Sequence, residues 1–184
     1  HHNIRLDGLM HRINSGGPFL YSMQFHWLSK KDAKNLIEGV RASGLAVSGD
    51  KVAVMTEEDA RLYEIGRSII IEYGDGYIPV VDESVNGEIL SHLPSVIVDM
   101  GAVQHIVNGA DVMRPGIVSF EARFSKDDLV VVRDVKNRKP LAICRALMSS
   151  DEAAGLSRGK ILVNLHYVGD KYWRLSRKLM SFTR

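Results

Sequence analysis

The residues with the clearest chemical possibilities lie in "NGADVMRPGI", Asn108 to Ile117. Catalysis, phosphate binding and plain chain reversal all use loops of this kind. Gly109 permits a close approach by another group. Met113 is flexible and apolar, suited to sliding under a base or filling a core. Arg114 can bond a phosphate or lie flat on a base. Pro115-Gly116 turns the chain back. A second stretch, "HYVGDKYW", brings His166, Tyr167, Lys171, Tyr172 and Trp173 close in sequence. Aromatics interleaved with bases are the surface that single-stranded nucleic acid uses. The plainer alternative keeps Met113 in the core and lets Tyr167 and Trp173 close a barrel.

Other chemistries find less support. Seven histidines are scattered, and none repeats at the spacing of a helical metal pair. One cysteine, Cys144, cannot build a zinc knuckle, and it falls in a predicted strand as a small core residue. No nucleophile elbow, phosphate loop or dinucleotide fingerprint occurs. Asp99 and Asp111 form an imaginable carboxylate pair, yet one ends a strand and the other follows a helix, where capping explains them. The expectation is a non-enzyme without metal or cofactor.

The elements that must position these residues read as α+β. With 45% apolar residues, the 184-residue chain can form a core. "WLSKKDAKNLIEGVRASG" is a helix, with Ser29 as N-cap and Asp32 three residues on. "KVAVMTEEDA" is a strand, and "RSIIIEYGDGYIPVVDE" a hairpin turning at Asp75-Gly76. Asn86-Gly87 reads as a further turn. "SVIVDM" is a strand, "GAVQHIVNGA" a short helix, and the short strands that follow indicate a small β-barrel. In the tail, Tyr172, Leu175, Leu179 and Phe182 share a helical face, so a helix on the barrel is one outcome and ordering on RNA another.

Charge is uneven. Residues 1–94 hold 13 acids and 9 bases (−4), while residues 95–184 hold 9 acids and 15 bases (+6). No acid follows Asp170, leaving Lys171, Arg174, Arg177, Lys178 and Arg184 unopposed in the sequence. A polyanionic partner and a solvated tail both fit that pattern. A single cysteine favours a reducing, cytoplasmic setting, and no apolar run has membrane-spanning length.

"SVIVDMGAVQHIVNGADVMRPGIV" resembles the opening of the PUA domain, named for pseudouridine synthases and archaeosine transglycosylases. The likeness continues through "DLVVVRDVKNRKPLAICRALMSSDEA" and "GKILVNLHYVGDKYW". The preceding "FHWLSKKDAKNLIEGV" to "GYIPVV" resembles the pre-PUA domain. That pairing is similar to archaeal PUA proteins and to the malignant T-cell-amplified-sequence family. The resemblance implies an N-terminal extension or tag (1–22), a pre-PUA α+β domain (23–94), a mixed-sheet PUA pseudo-barrel (95–173) and a basic C-terminal tail (174–184). It also implies contacts with RNA, tRNA or rRNA, from Asn108, Gly109, Ala110, Asp111, Met113 and Arg114, with His166, Tyr167 and Lys171. Recognition of the tRNA 3′ acceptor end in translation initiation or ribosome recycling follows from the family, with the small subunit and a protein partner. The alternative is a protein-interaction adaptor in a ribosome or RNA-modification complex.

Overall fold

A computed structural model describes residues 23–184. The stretch 1–22, read above as an extension or tag, lies outside the described residues. The elements run β1 (Met23–Trp27), α1 (Lys30–Ala42), β2 (Val52–Glu57), β3 (Ala60–Ile65), β4 (Ser68–Tyr73), β5 (Gly76–Pro79) and α2 (Glu83–His92). They continue with β6 (Ser95–Val98), α3 (Met100–Ile106), β7 (Val112–Met113), a 3₁₀ turn (Arg114–Gly116), β8 (Ile117–Glu121) and β9 (Leu129–Asp134). β10 (Pro140–Ala146), α4 (Ser150–Ala154), β11 (Lys160–Tyr167) and α5 (Lys171–Thr183) complete the chain. Two compact units result, one reaching Pro79 and including Arg174–Arg184, the other spanning Val80–Trp173.

In the first unit, β1 to β5 form an antiparallel meander in sequence order. α1 starts where Ser29 Oγ accepts from the Asp32 N–H at 3.2 Å, and it buries Ala33, Ile37 and Val40. Cross-strand partners share a face, so Phe25, Met55, Leu62, Ile71 and Ile78 form one rank. α5 lies on that side: Phe182 stacks on Phe25 at 5.3 Å, and Thr183 Oγ1 donates to Glu64. The opposite face carries Tyr63 and Tyr77. There a methyl built on Gly39 of α1 would touch Tyr77 at 3.7 Å. Cover on both faces explains why "KVAVM" and "SIII" are continuous apolar runs rather than alternating ones.

Three local expectations change. Tyr73 pairs with Gly76, so the β4–β5 turn is Gly74-Asp75, with Gly74 at φ +56°, one residue earlier than expected. Asn86-Gly87 does not reverse the chain but kinks α2, whose backbone leaves the helical region at Asn86. Asn86 is buried there at φ −124° and its Nδ2 donates to the Val80 carbonyl at 2.7 Å. That bond reaches back six residues and satisfies the buried amide at the kink. The tail is a helix, and it packs within the first unit rather than on the barrel: Leu175 and Leu179 are buried.

The second unit is a curled sheet in the order β7-β11-β10-β9-β6-β8. It is mixed, because β6 runs parallel to β9 and antiparallel to β8. Val96, Val98, Val112, Ile117, Val130, Val132, Ala142, Cys144, Ile161 and Leu162 fill its interior. The alternate residues Ile97, Val131 and Ile143 are also buried. Their face is covered by the entering chain: Val81 bonds to His166, and Glu83 of α2 to Arg133.

Candidate nucleic-acid interface

The loop between α3 and β7 is set at both ends. Asp99 caps α3, its Oδ1 accepting from the Ala102 N–H at 2.8 Å. At the far end, the Gly109 and Ala110 N–H groups donate to the Ile106 and His105 carbonyls, and Asn108 Nδ2 donates to Gln104 O at 2.7 Å. Gly109 is at φ +95°, where only glycine is unstrained. A Cβ there would lie 3.2 Å from Cε1 of Tyr167. The close approach foreseen at Gly109 is therefore made by the Tyr167 ring. Asn108 and Ala110 flank that contact and are exposed.

Asp111 binds inward. Its Oδ1 accepts from the Asn164 N–H at 2.8 Å, and its Oδ2 pairs with Lys160 Nζ at 2.9 Å. Burial pushes this carboxyl up, but the Asn164 and Lys160 bonds outweigh it and hold it below the ordinary range. Asn164 also donates from Nδ2 to the carbonyls of Ile106 and Ala110, each at 3.0 Å. One strand residue thus ties down the whole loop. The sequence reading passed over Asn164. The available signal was an amide in the middle of "ILVNLHYV", where strands disfavour Asn.

Beyond Asp111 the loop divides. Val112 and Ile117 enter the core, whereas Met113 is 47% exposed, so Met113 is not a core residue. Arg114 donates from Nε to Ala153 O at 2.9 Å and from Nη1 to Ile117 O at 3.2 Å, with its guanidinium 5.3 Å from the Phe120 ring centre. It fastens β8 to α4. Gly116 packs closely on α3, where a Cβ would fall 3.1 Å from that of Ala102.

His166 corrects the expectation of a contact residue, since it is fully buried. Its Nε2 accepts from the Val81 N–H at 3.0 Å, and its Nδ1 meets Asp170 at 2.9 Å. An acceptor Nε2 requires the proton on Nδ1, which donates to the carboxylate. Asp170 also accepts from the N–H groups of Tyr167 and Trp173, so it caps the first turn of α5. Burial pushes its carboxyl up, yet His166 and these N–H donors hold it below the ordinary range. Lys171 is exposed, with Nζ 5.0 Å from the Tyr172 ring centre.

Among the described residues no His/Cys/Asp/Glu group is placed to hold a metal ion. Cys144 is buried, and burial pushes its thiol well up, so it offers no thiolate nucleophile. No described helix is long and apolar enough to cross a membrane.

The PUA domain model matches residues 94–168. The solved PUA domain protein of Thermoplasma acidophilum is 31% identical, with a TM-score of 0.67, over 83% of this chain and 99% of its own. An uncharacterized protein of Methanocaldococcus jannaschii is 32% identical over 157 residues, covering 80% of this chain and 94% of that protein. The chain belongs to the PUA domain family. The α+β unit that precedes the matched residues reaches Pro79 and includes Arg174–Arg184, bounds that differ from the expected 23–94. Translation machinery-associated protein 20 of Saccharomyces cerevisiae is 26% identical over 130 residues, covering 67% of this chain and 71% of that protein. Within the PUA domain the fold assembles Asn108, Gly109, Ala110 and Tyr167. It turns Asp111, Arg114 and His166 to internal bonds.

Proposed function

We propose that this protein is a non-enzymatic RNA-binding protein of translation, and that its PUA domain receives the 3′ acceptor end of tRNA at Tyr167. The observation that carries this reading is the seating of the Tyr167 ring against Gly109, beside exposed Asn108 and Ala110. A half-buried aromatic held by a rigid loop is a stacking platform for an unpaired base. Lys171 supplies a phosphate contact, Asn108 a polar one and Met113 an apolar one. Asp111, Arg114 and His166 act behind them as positioning residues. Support for a translation role comes from the likeness to translation machinery-associated protein 20. Work in the cytoplasm beside the small ribosomal subunit, with a protein partner, completes the proposal.

The test is Tyr167→Ala against Tyr167→Phe. Loss of one stacked base is worth about 1–3 kcal/mol. The alanine variant is expected to lose roughly tenfold or more in tRNA affinity, and phenylalanine to retain most of it. Equal loss in both variants would show that the hydroxyl, not the ring face, matters. No loss in either would remove Tyr167 from the site.

A further inference from the structure

The β9–β10 turn has no part in the loop site, yet it is built as carefully. Asp134 is buried, and its two carboxylate oxygens accept from the N–H groups of Asn137 at 2.6 Å and Lys139 at 3.2 Å. The Arg138 N–H donates to Asp134 O at 3.0 Å, and Arg138 stands in the left-handed region at φ +54°. Arg133 Nη1 adds a bond to Arg138 O at 3.1 Å. A non-glycine residue is kept in that region only when its surroundings over-determine it. The turn is therefore rigid, and it fixes where its side chains emerge.

Its cations divide into two classes. Arg133 pairs with Glu83 at 2.8 Å, and Arg138 with Glu121 at 3.1 Å. Among the described residues no carboxylate pairs with Lys136 or Lys139, and both are exposed. The negative charge nearest to them in sequence, Asp134, is turned inward and hydrogen-bonded. The outward surface of the turn is thus positive.

Register brings this surface close to the stacking platform. Ala142 pairs with Tyr167, and the Val168 N–H donates to Leu141 O. Lys139 is three residues before Ala142, about 10 Å along the strand. It stands at the same end of the sheet as Tyr167.

We infer that Lys136 and Lys139 form a second phosphate-binding element, which holds the backbone of the RNA strand whose end stacks on Tyr167. The inference rests on the RNA-binding reading above. These lysines neutralise phosphates without reading bases, so they set affinity and salt dependence and leave end preference to the loop.

The experiment is an anisotropy titration of the full chain with tRNA over a salt series. Wild type is compared with Lys136→Ala/Lys139→Ala and with Lys30→Ala/Lys31→Ala, an exposed pair on α1. Each phosphate contact on a single strand contributes about 0.7 to the slope of log affinity against log salt. The turn variant is expected to lose about 1.4 from that slope, with its thermal melt and its preference for the intact 3′ end unchanged. The α1 variant is expected to match wild type. An unchanged slope in the turn variant of a protein that binds tRNA would overturn this inference and leave the Tyr167 reading standing. An equal slope loss in the α1 variant would also overturn it, as the signature of diffuse charge. A wild type that does not bind tRNA would overturn both.

Discussion

Cations at the end of the first unit's sequence are matched by acids: Lys178 lies 2.9 Å from Glu57, and Arg184 lies 3.5 Å from Glu64. In the second unit Arg133 and Arg138 are likewise paired, but among the described residues no carboxylate pairs with Lys136 or Lys139. The basic tail looks like the stronger polyanion site when charge is counted along the chain. In the fold, two of its charges are answered from β2 and β3, more than a hundred residues earlier. Net charge per segment therefore locates a surface poorly. Pairing, burial and rigidity locate it better, and by those measures the RNA-facing candidates sit in the second unit.

The sharpest break of this contrast is Asp170→Ala. It removes a partly buried carboxylate that receives bonds from His166, Tyr167 and Trp173, and we expect a loss of about 3 kcal/mol in chemical denaturation. Because the folded pKa of Asp170 is lowered, the unfolded chain takes up its proton first as pH falls. The stabilisation is complete above the ordinary carboxylate value of 3.8 and disappears as pH drops through the lower folded value. Asp170→Asn should therefore differ from wild type at neutral pH and converge with it in acid. A difference independent of pH would mean that the charge of Asp170 is not what matters.

Next in size is Arg114→Ala, expected to destabilise by about 2 kcal/mol through the lost carbonyl bonds to α4 and β8. Arg114→Lys should recover little, since a point charge cannot reproduce the fork. The salt slope of tRNA binding should stay as in wild type. A slope that falls by about 0.7 would restore Arg114 as a phosphate contact.

Gly109→Ala comes third, at about 1–2 kcal/mol for a left-handed alanine. It should also displace Tyr167, so tRNA affinity should fall beyond what stability explains. Retained affinity would separate the glycine from the platform.

Smallest is Lys178→Ala. A surface pair of this kind contributes about 0–1 kcal/mol, and tRNA affinity should not change. A clear drop in affinity would mean that the tail helix, too, meets RNA.

Local signals in the sequence carried far. Ser29, Asp99 and Ser149 each cap the helix they precede, with side chains accepting from the residue three on. The capping reading of Asp99 holds because that bond is made within one turn. Signals that depend on distant partners did not show. Asn86-Gly87 has turn chemistry, and it shows only as a kink in α2, where a buried Asn86 bonds back to the Val80 carbonyl. The reading of His166 as a contact residue fails because Val81, 85 residues earlier, covers it. Gly109 advertised a close approach without saying to what. Tyr167 packs on it and Asn164 bonds its neighbour Ala110, both from β11, so only the paired strands bring them there.

The central claim is that Tyr167 and the Asn108–Ala110 loop receive an unpaired RNA end. Its most direct test is anisotropy titration with tRNA carrying an intact 3′ CCA and with tRNA lacking it, at several salt concentrations. Binding to the intact end is expected to be tighter, with a salt slope of about −2 to −4 for both RNAs. Equal affinity for the two RNAs, or no binding, would contradict it and favour the adaptor role.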